Sequence, residues 1–102
     1  MINNITWPAK HPAERVTAEF DFGPSLAAGD ALASVQLIVT TVQGVDAAPG
    51  ALLYGIAQLK GARAFQQLAG GLANCSYRVE CRGTTANNNL LVLARVLPVL
   101  VT

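Results

Sequence analysis

Few side chains in this sequence of 102 residues are of the types that catalyse reactions. His11 is the single histidine, and it stands between Lys10 and Pro12, ahead of the first predicted strand. General acid–base catalysis needs a histidine held within hydrogen-bond reach of the reacting group. No neighbouring residue pattern orients His11, so we interpret it as an exposed linker residue.

The two cysteines, Cys75 and Cys81, alternate with polar residues in a predicted strand, which indicates small buried side chains with free thiols. On one extended strand their Cα atoms would be about 20 Å apart, too far for a disulfide. One histidine, two cysteines and scattered carboxylates have no spacing typical of a zinc or calcium site. The sequence therefore predicts no catalytic residue, no cofactor and no metal.

The charged residues are few and balanced. Seven Lys and Arg stand against six Asp and Glu, which leaves a net charge of +1 and predicts neither a nucleic acid nor an anionic membrane as partner. Glu19 and Asp21 share the outward face of one predicted strand, and Arg78 and Arg82 that of another. We expect these arginines to pair with those carboxylates across strands.

No targeting or membrane-spanning segment is predicted. The first ten residues, MINNITWPAK, lack the basic and apolar regions of a secretory signal. The most apolar run, Leu90 to Val101, is shorter than the roughly 18 residues of a membrane span and contains Arg95 and Pro98. The protein is expected to stay where it is made.

Hydrophobic residues recur with a period of two between short turn segments, which is typical of an all-β domain. Residues 63–68 fit either a strand or a helical turn, and the other predicted strands are 15–22, 32–42, 52–54, 56–59, 75–82 and 90–99. About seven short strands in a chain of this length match an immunoglobulin-like β-sandwich, with a barrel as the alternative. We predict one domain over residues 14–102, preceded by an extended N-terminal arm of residues 1–13.

Tyr77 lies near the start of the penultimate predicted strand, shortly after Gly70 and Gly71. In immunoglobulin-like domains a tyrosine at this place bonds through its hydroxyl to the backbone a few residues upstream, an arrangement called a tyrosine corner. An ordinary core tyrosine is the alternative interpretation.

The last predicted strand has apolar residues on both faces. If Val92, Ala94 and Val96 face the core, then Leu91, Leu93 and Leu97, on either side of Arg95, face outward and invite another chain. Trp7, ahead of any long strand, either anchors the arm in a neighbouring protein or folds back over its own domain. The predicted interface consists of Trp7, Leu91, Leu93, Arg95, Leu97, Val99, Leu100 and Val101.

Four short segments stand in a characteristic order: Lys10 to Pro12, the aromatic pair Phe20 and Phe22, the turn Leu26 to Asp30, and Gly70 to Val79. The order resembles that of small tailed-bacteriophage structural proteins described as fibre-to-tail adaptors. Their pattern is Lys-x-Pro, a strand ending in an aromatic residue, Leu-Ala-x-Gly-Asp/Glu, and later Gly-Gly-x5-Tyr-x-Val. The last strand departs from the family pattern, because here it is apolar rather than rich in charge.

The resemblance implies a non-enzymatic virion protein, made in the host cytoplasm, that acts as an adaptor or head–tail connector and links fibres to the tail. Its implied partners are other phage structural proteins, either tail, adaptor or fibre, and its implied assembly is a symmetric homo-oligomeric ring. Two alternatives remain, a capsid decoration protein and a free-standing ligand-binding β-sandwich module. The ligand-binding module would be a monomer with a pocket at one end of the sandwich.

Overall fold

Six strands of seven residues or more, and one of two residues, make up the regular structure. The computed structural model describes residues 5–101. The strands are β1 (Ile5–Thr6), β2 (Arg15–Asp21), β3 (Leu32–Gln43), β4 (Leu53–Lys60), β5 (Arg63–Ala69), β6 (Cys75–Thr85) and β7 (Leu90–Val99). Two short 3-10 helices, Gly23–Ser25 and Pro49–Leu52, occur in the connections, and the all-β prediction is confirmed.

The six longer strands form two antiparallel three-stranded sheets. One has the order β7-β6-β3, with β1 added parallel to β7 at its edge, and the other has the order β2-β5-β4. The register of the first sheet places Val79 opposite both Val39 and Arg95. The more specific prediction, seven strands in an immunoglobulin-like sandwich, is not confirmed by this count.

The count differs because the predicted strands 52–54 and 56–59 are one strand, β4. Its pairing with β5 shifts register between Tyr54 and Gln58, which makes an irregular bulge at Gly55, whose φ is +74°. The buried Gln66 side chain of β5 donates hydrogen bonds to the carbonyl oxygens of Tyr54 (3.1 Å) and Gly55 (3.3 Å). A glycine within a strand can mark a bulge as readily as the end of the strand. Of the two predictions for residues 63–68, a strand or a helical turn, the structure has the strand, β5.

The core lies between the two sheets and is built from their alternating residues. Phe20 in β2 and Phe22 directly after it are fully buried, and Val39, Val79 and Cys81 of the other sheet belong to the same core cluster. A Cβ at Gly83 would lie 2.7 Å from Cδ1 of Leu32 and 3.2 Å from the Phe22 ring, so a larger residue here would have to displace both side chains. Within residues 5–101, no helix is long and apolar enough to cross a membrane.

Candidate binding surface

The N-terminal segment runs beside the last strand. The amide of Trp7 donates to the carbonyl of Val96 (2.8 Å), that of Lys10 donates to Pro98 (2.9 Å), and that of Leu100 donates to Lys10 (2.9 Å). Residues 1–4 of the predicted arm lie outside the described residues. From Ile5 to Lys10 the segment extends the sheet, because it satisfies the backbone groups along the free edge of β7.

Trp7 lies against the core of its own domain. Its indole meets the Phe20 ring edge-to-face, with 5.5 Å between the ring centroids, and the side chain is half-buried against the core cluster. Such aromatic pairs add about 0.5–1.5 kcal/mol beyond the burial of their area. Of the two predicted positions for Trp7, folding back over the domain is the one in the structure.

Lys10, the first residue of the Lys-x-Pro segment, is a buried cation. Only 1% of the residue is exposed, and its Nζ donates hydrogen bonds to the carbonyl oxygens of Gly70 (2.6 Å) and His11 (2.9 Å). Burial lowers the pKa of this ammonium, and the Glu14 carboxylate opposes that effect. Lys10 thus fastens the N-terminal segment to the β5–β6 connection.

His11, Glu14 and the two cysteines, which are the residue types that could catalyse a reaction, hold a turn together or lie buried. His11 Nδ1 accepts a hydrogen bond from the Ala13 amide (3.0 Å) and Glu14 Oε1 accepts one from the His11 amide (2.7 Å), so both shape one turn. Cys75 and Cys81 are buried free thiols, and burial raises the pKa of Cys81 to about 11. Within residues 5–101, no three His, Cys, Asp or Glu side chains are grouped to hold a metal ion.

The predicted orientation of β7 is wrong. Leu97 and Val99 are buried, Leu91 and Leu93 are half-buried against the core, and Val92 is exposed. Arg95 shares the core side, opposite Val79, and its Nη1 reaches back to the Ala94 carbonyl (2.8 Å). The odd-numbered residues therefore pack inward. Arg95, which pairs with Val79 of β6 on one side and Ile5 of β1 on the other, is part-buried among them, and an arginine can bury its stem along apolar residues. Of the predicted interface residues, Leu100 and Val101 are exposed hydrophobic residues.

These two residues belong to a cluster at one end of the domain, which we call the apolar end. Three segments meet there, because the Cys75 thiol donates a hydrogen bond to the Val45 carbonyl (3.6 Å) and the Asn74 amide bonds to the Val99 carbonyl (2.8 Å). The apolar end consists of the exposed residues Val42, Val45, Leu72, Leu100 and Val101. Exposed apolar patches are a feature of protein interfaces, so the apolar end is the candidate binding surface.

Tyr77 fixes two of the segments that form the apolar end. Its buried hydroxyl accepts a hydrogen bond from the Leu72 amide (2.8 Å) and donates one to Oδ2 of Asp46 (2.7 Å). The bond to Leu72 confirms the predicted tyrosine corner. Burial and the Asp46 bond raise the pKa of Tyr77 to about 12, and the Tyr77 bond lowers that of Asp46. One tyrosine side chain thereby joins the segment that carries Leu72 to the loop that carries Asp46.

The charged side chains pair differently from the prediction. Glu80, almost buried on the outer face of β6, lies between Arg78 and Arg82 and binds both. The hydrogen bonds from Arg82 and Arg78 hold the pKa of Glu80 below its usual value. Glu19 and Asp21 bind Arg63 instead, at 3.3 Å and 3.8 Å. Residues two apart on one strand are close enough to pair, so Arg78 and Arg82 bind Glu80 of their own strand. The cross-strand partner of Glu19 and Asp21 is Arg63 of β5.

Comparison with known families decides what kind of protein this is. Residues 10–97 match the family model described as the podophage GP4 fiber-tail adaptor protein gp77. The chain belongs to this family. No curated protein matches the chain. The match starts at Lys10, the cation that joins the N-terminal segment to Gly70.

The adaptor-family segments identified in the sequence all have structural roles. Lys10 anchors the N-terminal segment, and Phe20 and Phe22 fill the core. In the turn, Oδ1 of Asp30 accepts hydrogen bonds from the amides of Ala31 (2.8 Å) and Asn87 (3.0 Å) and so joins the β2–β3 and β6–β7 connections. A Cβ at Gly71, whose φ is +91°, would lie 3.0 Å from Val99, so glycine allows this connection to pass over the core. The adaptor-family pattern is therefore a pattern of fold-determining residues.

Proposed function

We propose that this chain is a non-enzymatic structural protein of a phage virion, made in the host cytoplasm, that links fibres to the tail. The observation that carries the proposal is the adaptor-family match over residues 10–97. Charged residues are only 13% of the chain, about half the usual share, which suits a surface that lies partly against other proteins. Its partners would be tail, adaptor or fibre proteins, in a connector near the tail.

We also propose that the domain is of the immunoglobulin-like class. The orders β2-β5-β4 and β3-β6-β7 correspond to the strand orders B-E-D and C-F-G of that class, and the Tyr77 corner is one of its hallmarks. In this assignment β1 is the first strand, paired with β7. A domain of this kind supports binding loops at its two ends, and the apolar end is one of them.

The docking surface that we propose is the apolar end. It keeps Leu100 and Val101 from the predicted interface and adds Val42, Val45 and Leu72. The other predicted residues contribute to the domain itself, through the core or the edge of β7. A symmetric homo-oligomeric ring remains part of the proposal, and a ring needs two different, complementary surfaces on each copy.

Binding to purified tail and fibre proteins of the same phage tests the proposal. We expect V45D/V101D to fold normally and to lose at least tenfold in affinity, because each aspartate brings a charge into a dry contact. The control is I56D/L90D, which changes two hydrophobic residues of similar exposure elsewhere: Ile56 is 90% and Leu90 61% exposed, against 87% for Val45 and 67% for Val101. Equal binding by both variants would exclude the apolar end, and no binding by the unaltered chain would exclude the adaptor function.

A further inference from the structure

The strand β3 has a long free edge. Among residues 5–101 it pairs with β6 alone, so the backbone groups on its other side have no strand partner. Its twelve residues, LASVQLIVTTVQ, include no charged residue, no proline and no glycine. A long, uncharged edge is a template for pairing with another strand.

The other edges of the two sheets have features that prevent pairing. The edge strand β2 carries Arg15, Glu19 and Asp21, and β4 has the irregular bulge at Gly55 and ends at Lys60. The free side of β7 is covered by the N-terminal segment. Charges, bulges and covering segments are the usual protections of edge strands. In β3 the register shifts are confined to the two ends, between Leu32 and Ser34 and between Thr41 and Gln43, and the regular stretch between them carries no charge.

The side chains of β3 also remain incompletely covered. Val35 and Leu37 face the core but are only half-buried, and Ser34, Gln36 and Thr40 are exposed on the other face. A strand added at this edge would satisfy the free backbone groups and complete the burial of the two hydrophobic residues. The edge therefore needs a partner that is itself an extended strand.

We propose that β3 pairs antiparallel with β3 of a second copy across a two-fold axis at Leu37, which joins two copies through one continuous sheet. In this register Leu37 meets its own equivalent and Val35 meets Val39, all on the core side. On the outer side Ser34 lies opposite Thr40, a pair whose hydroxyls can bond. The same contacts occur twice, as a two-fold interface requires.

The absence of charge favours a second copy over a foreign strand. Self-pairing sets identical strands against each other, so a charge at Leu37 would meet its own equivalent and a charge at Gln36 or Ile38 would lie diagonally from its own equivalent. A strand selected to bind a different protein could carry charges complementary to that partner, and β3 carries none. A fibre or tail strand at this edge is the alternative occupant that the experiment detects.

This inference rests on the proposed adaptor function, because it adds a second kind of contact between adaptor copies, distinct from the two complementary surfaces that close a ring. A two-fold contact forms pairs only, and a different surface must join the pairs. The apolar end lies apart from the middle of β3 and is available for that contact or for the tail. Pairing through β3 itself needs no tail protein.

The test is the mass of the purified full chain in solution by light scattering. We expect a dimer for the unaltered chain and a monomer for S34K/T40K and for S34E/T40E, because both variants place like charges opposite each other at two places. An equimolar mixture of the two variants should restore the dimer mass. The matched control Q58K/Q67K, at exposed residues of the other sheet, should remain a dimer.

Circular dichroism checks that every variant folds. A monomeric unaltered chain at its highest soluble concentration would overturn the proposal, and so would a dimer that persists in S34K/T40K or fails to return in the mixture. A monomeric chain that binds purified tail or fibre protein only with β3 unaltered would assign the edge to that protein. If the chain is monomeric yet binds tail proteins through the apolar end, the adaptor function stands and only this inference fails.

Discussion

The Lys10 ammonium donates a hydrogen bond of 2.6 Å to the carbonyl oxygen of Gly70, sixty residues further along the chain. The backbone of Lys10 bonds at the same time to Pro98 and Leu100. One residue therefore joins the N-terminal segment, the β5–β6 connection and the end of β7. The position of Leu100 in the apolar end depends on this junction.

Replacing the buried cation should destabilise the domain. K10M keeps the length of the side chain but leaves the Gly70 and His11 carbonyl oxygens without their donor, so we expect a loss of about 1–3 kcal/mol in the free energy of unfolding. Urea denaturation measures it. K60M, at an exposed lysine, is the control and should change stability by less than about 0.5 kcal/mol. Equal stability of K10M and the unaltered chain would refute the role of Lys10.

The tyrosine corner should contribute through its hydroxyl. Y77F leaves the Leu72 amide and the Asp46 carboxylate without their partner, and we expect a cost of about 1–3 kcal/mol. The pKa of Tyr77 is raised to about 12 in the folded protein, against about 10 in the unfolded chain. Unfolding therefore releases a proton between these values. The unaltered chain should lose stability relative to Y77F as the pH rises from about 10 to about 12.

Denaturation of both proteins across that pH range measures the difference. Y54F is the matched control, because Tyr54 is exposed and should not reproduce the effect. A stability difference between Y77F and the unaltered chain that is small and independent of pH would mean that the hydroxyl is not bonded as described.

The Glu80 carboxylate should make the fold sensitive to acid. Its folded-state pKa is lowered by Arg82 and Arg78, so its contribution is present above the unfolded value of about 4.3 and is lost as the pH falls through the lower folded value. E80Q should be less stable than the unaltered chain at neutral pH and equally stable in strong acid. E19Q, in an exposed pair with Arg63, should show a much smaller difference, and a larger one there would contradict this assignment.

The orientation of β7 predicts opposite results for two neighbouring residues. L93D places a charge against the core and should unfold the domain, whereas V92D, at an exposed residue on the opposite face, should leave it folded. Thermal denaturation followed by circular dichroism separates them. A stable L93D together with an unfolded V92D would show that Val92 faces the core and Leu93 faces solvent, the opposite of the orientation described.

Strands in which apolar and polar residues alternate clearly could be predicted from the sequence. In β2, β3 and β6 the apolar residues recur at every second position and face the core as predicted. Tyr77 could be identified as a corner because its position after a glycine turn is a local feature. These inferences succeeded since the information lies within a few neighbouring residues.

The last strand could not be oriented in this way. Apolar residues occupy both faces of β7, and Arg95 is its one charged residue. Arginine ordinarily faces solvent, but Arg95 lies opposite Val79 on the core side. The error arose because Arg95 alone was used to decide which face of β7 points outward, and no other residue of the strand distinguishes its two faces.

The candidate surface could be predicted only in part, because it is assembled from distant segments. Leu100 and Val101 were found from their own apolarity, whereas Val45 and Leu72 join them through contacts of Cys75 and Tyr77. The role of Lys10 likewise depends on a partner sixty residues away. No local pattern of residues carries that information.

Electron microscopy of phage particles assembled without this chain tests the central claim most directly. The adaptor account predicts particles whose tails lack fibres, and fibres should return when the unaltered chain or I56D/L90D is supplied but not with V45D/V101D. Particles with a full set of fibres in the absence of the chain would contradict the account, and a defect confined to the capsid surface would indicate a decoration protein instead.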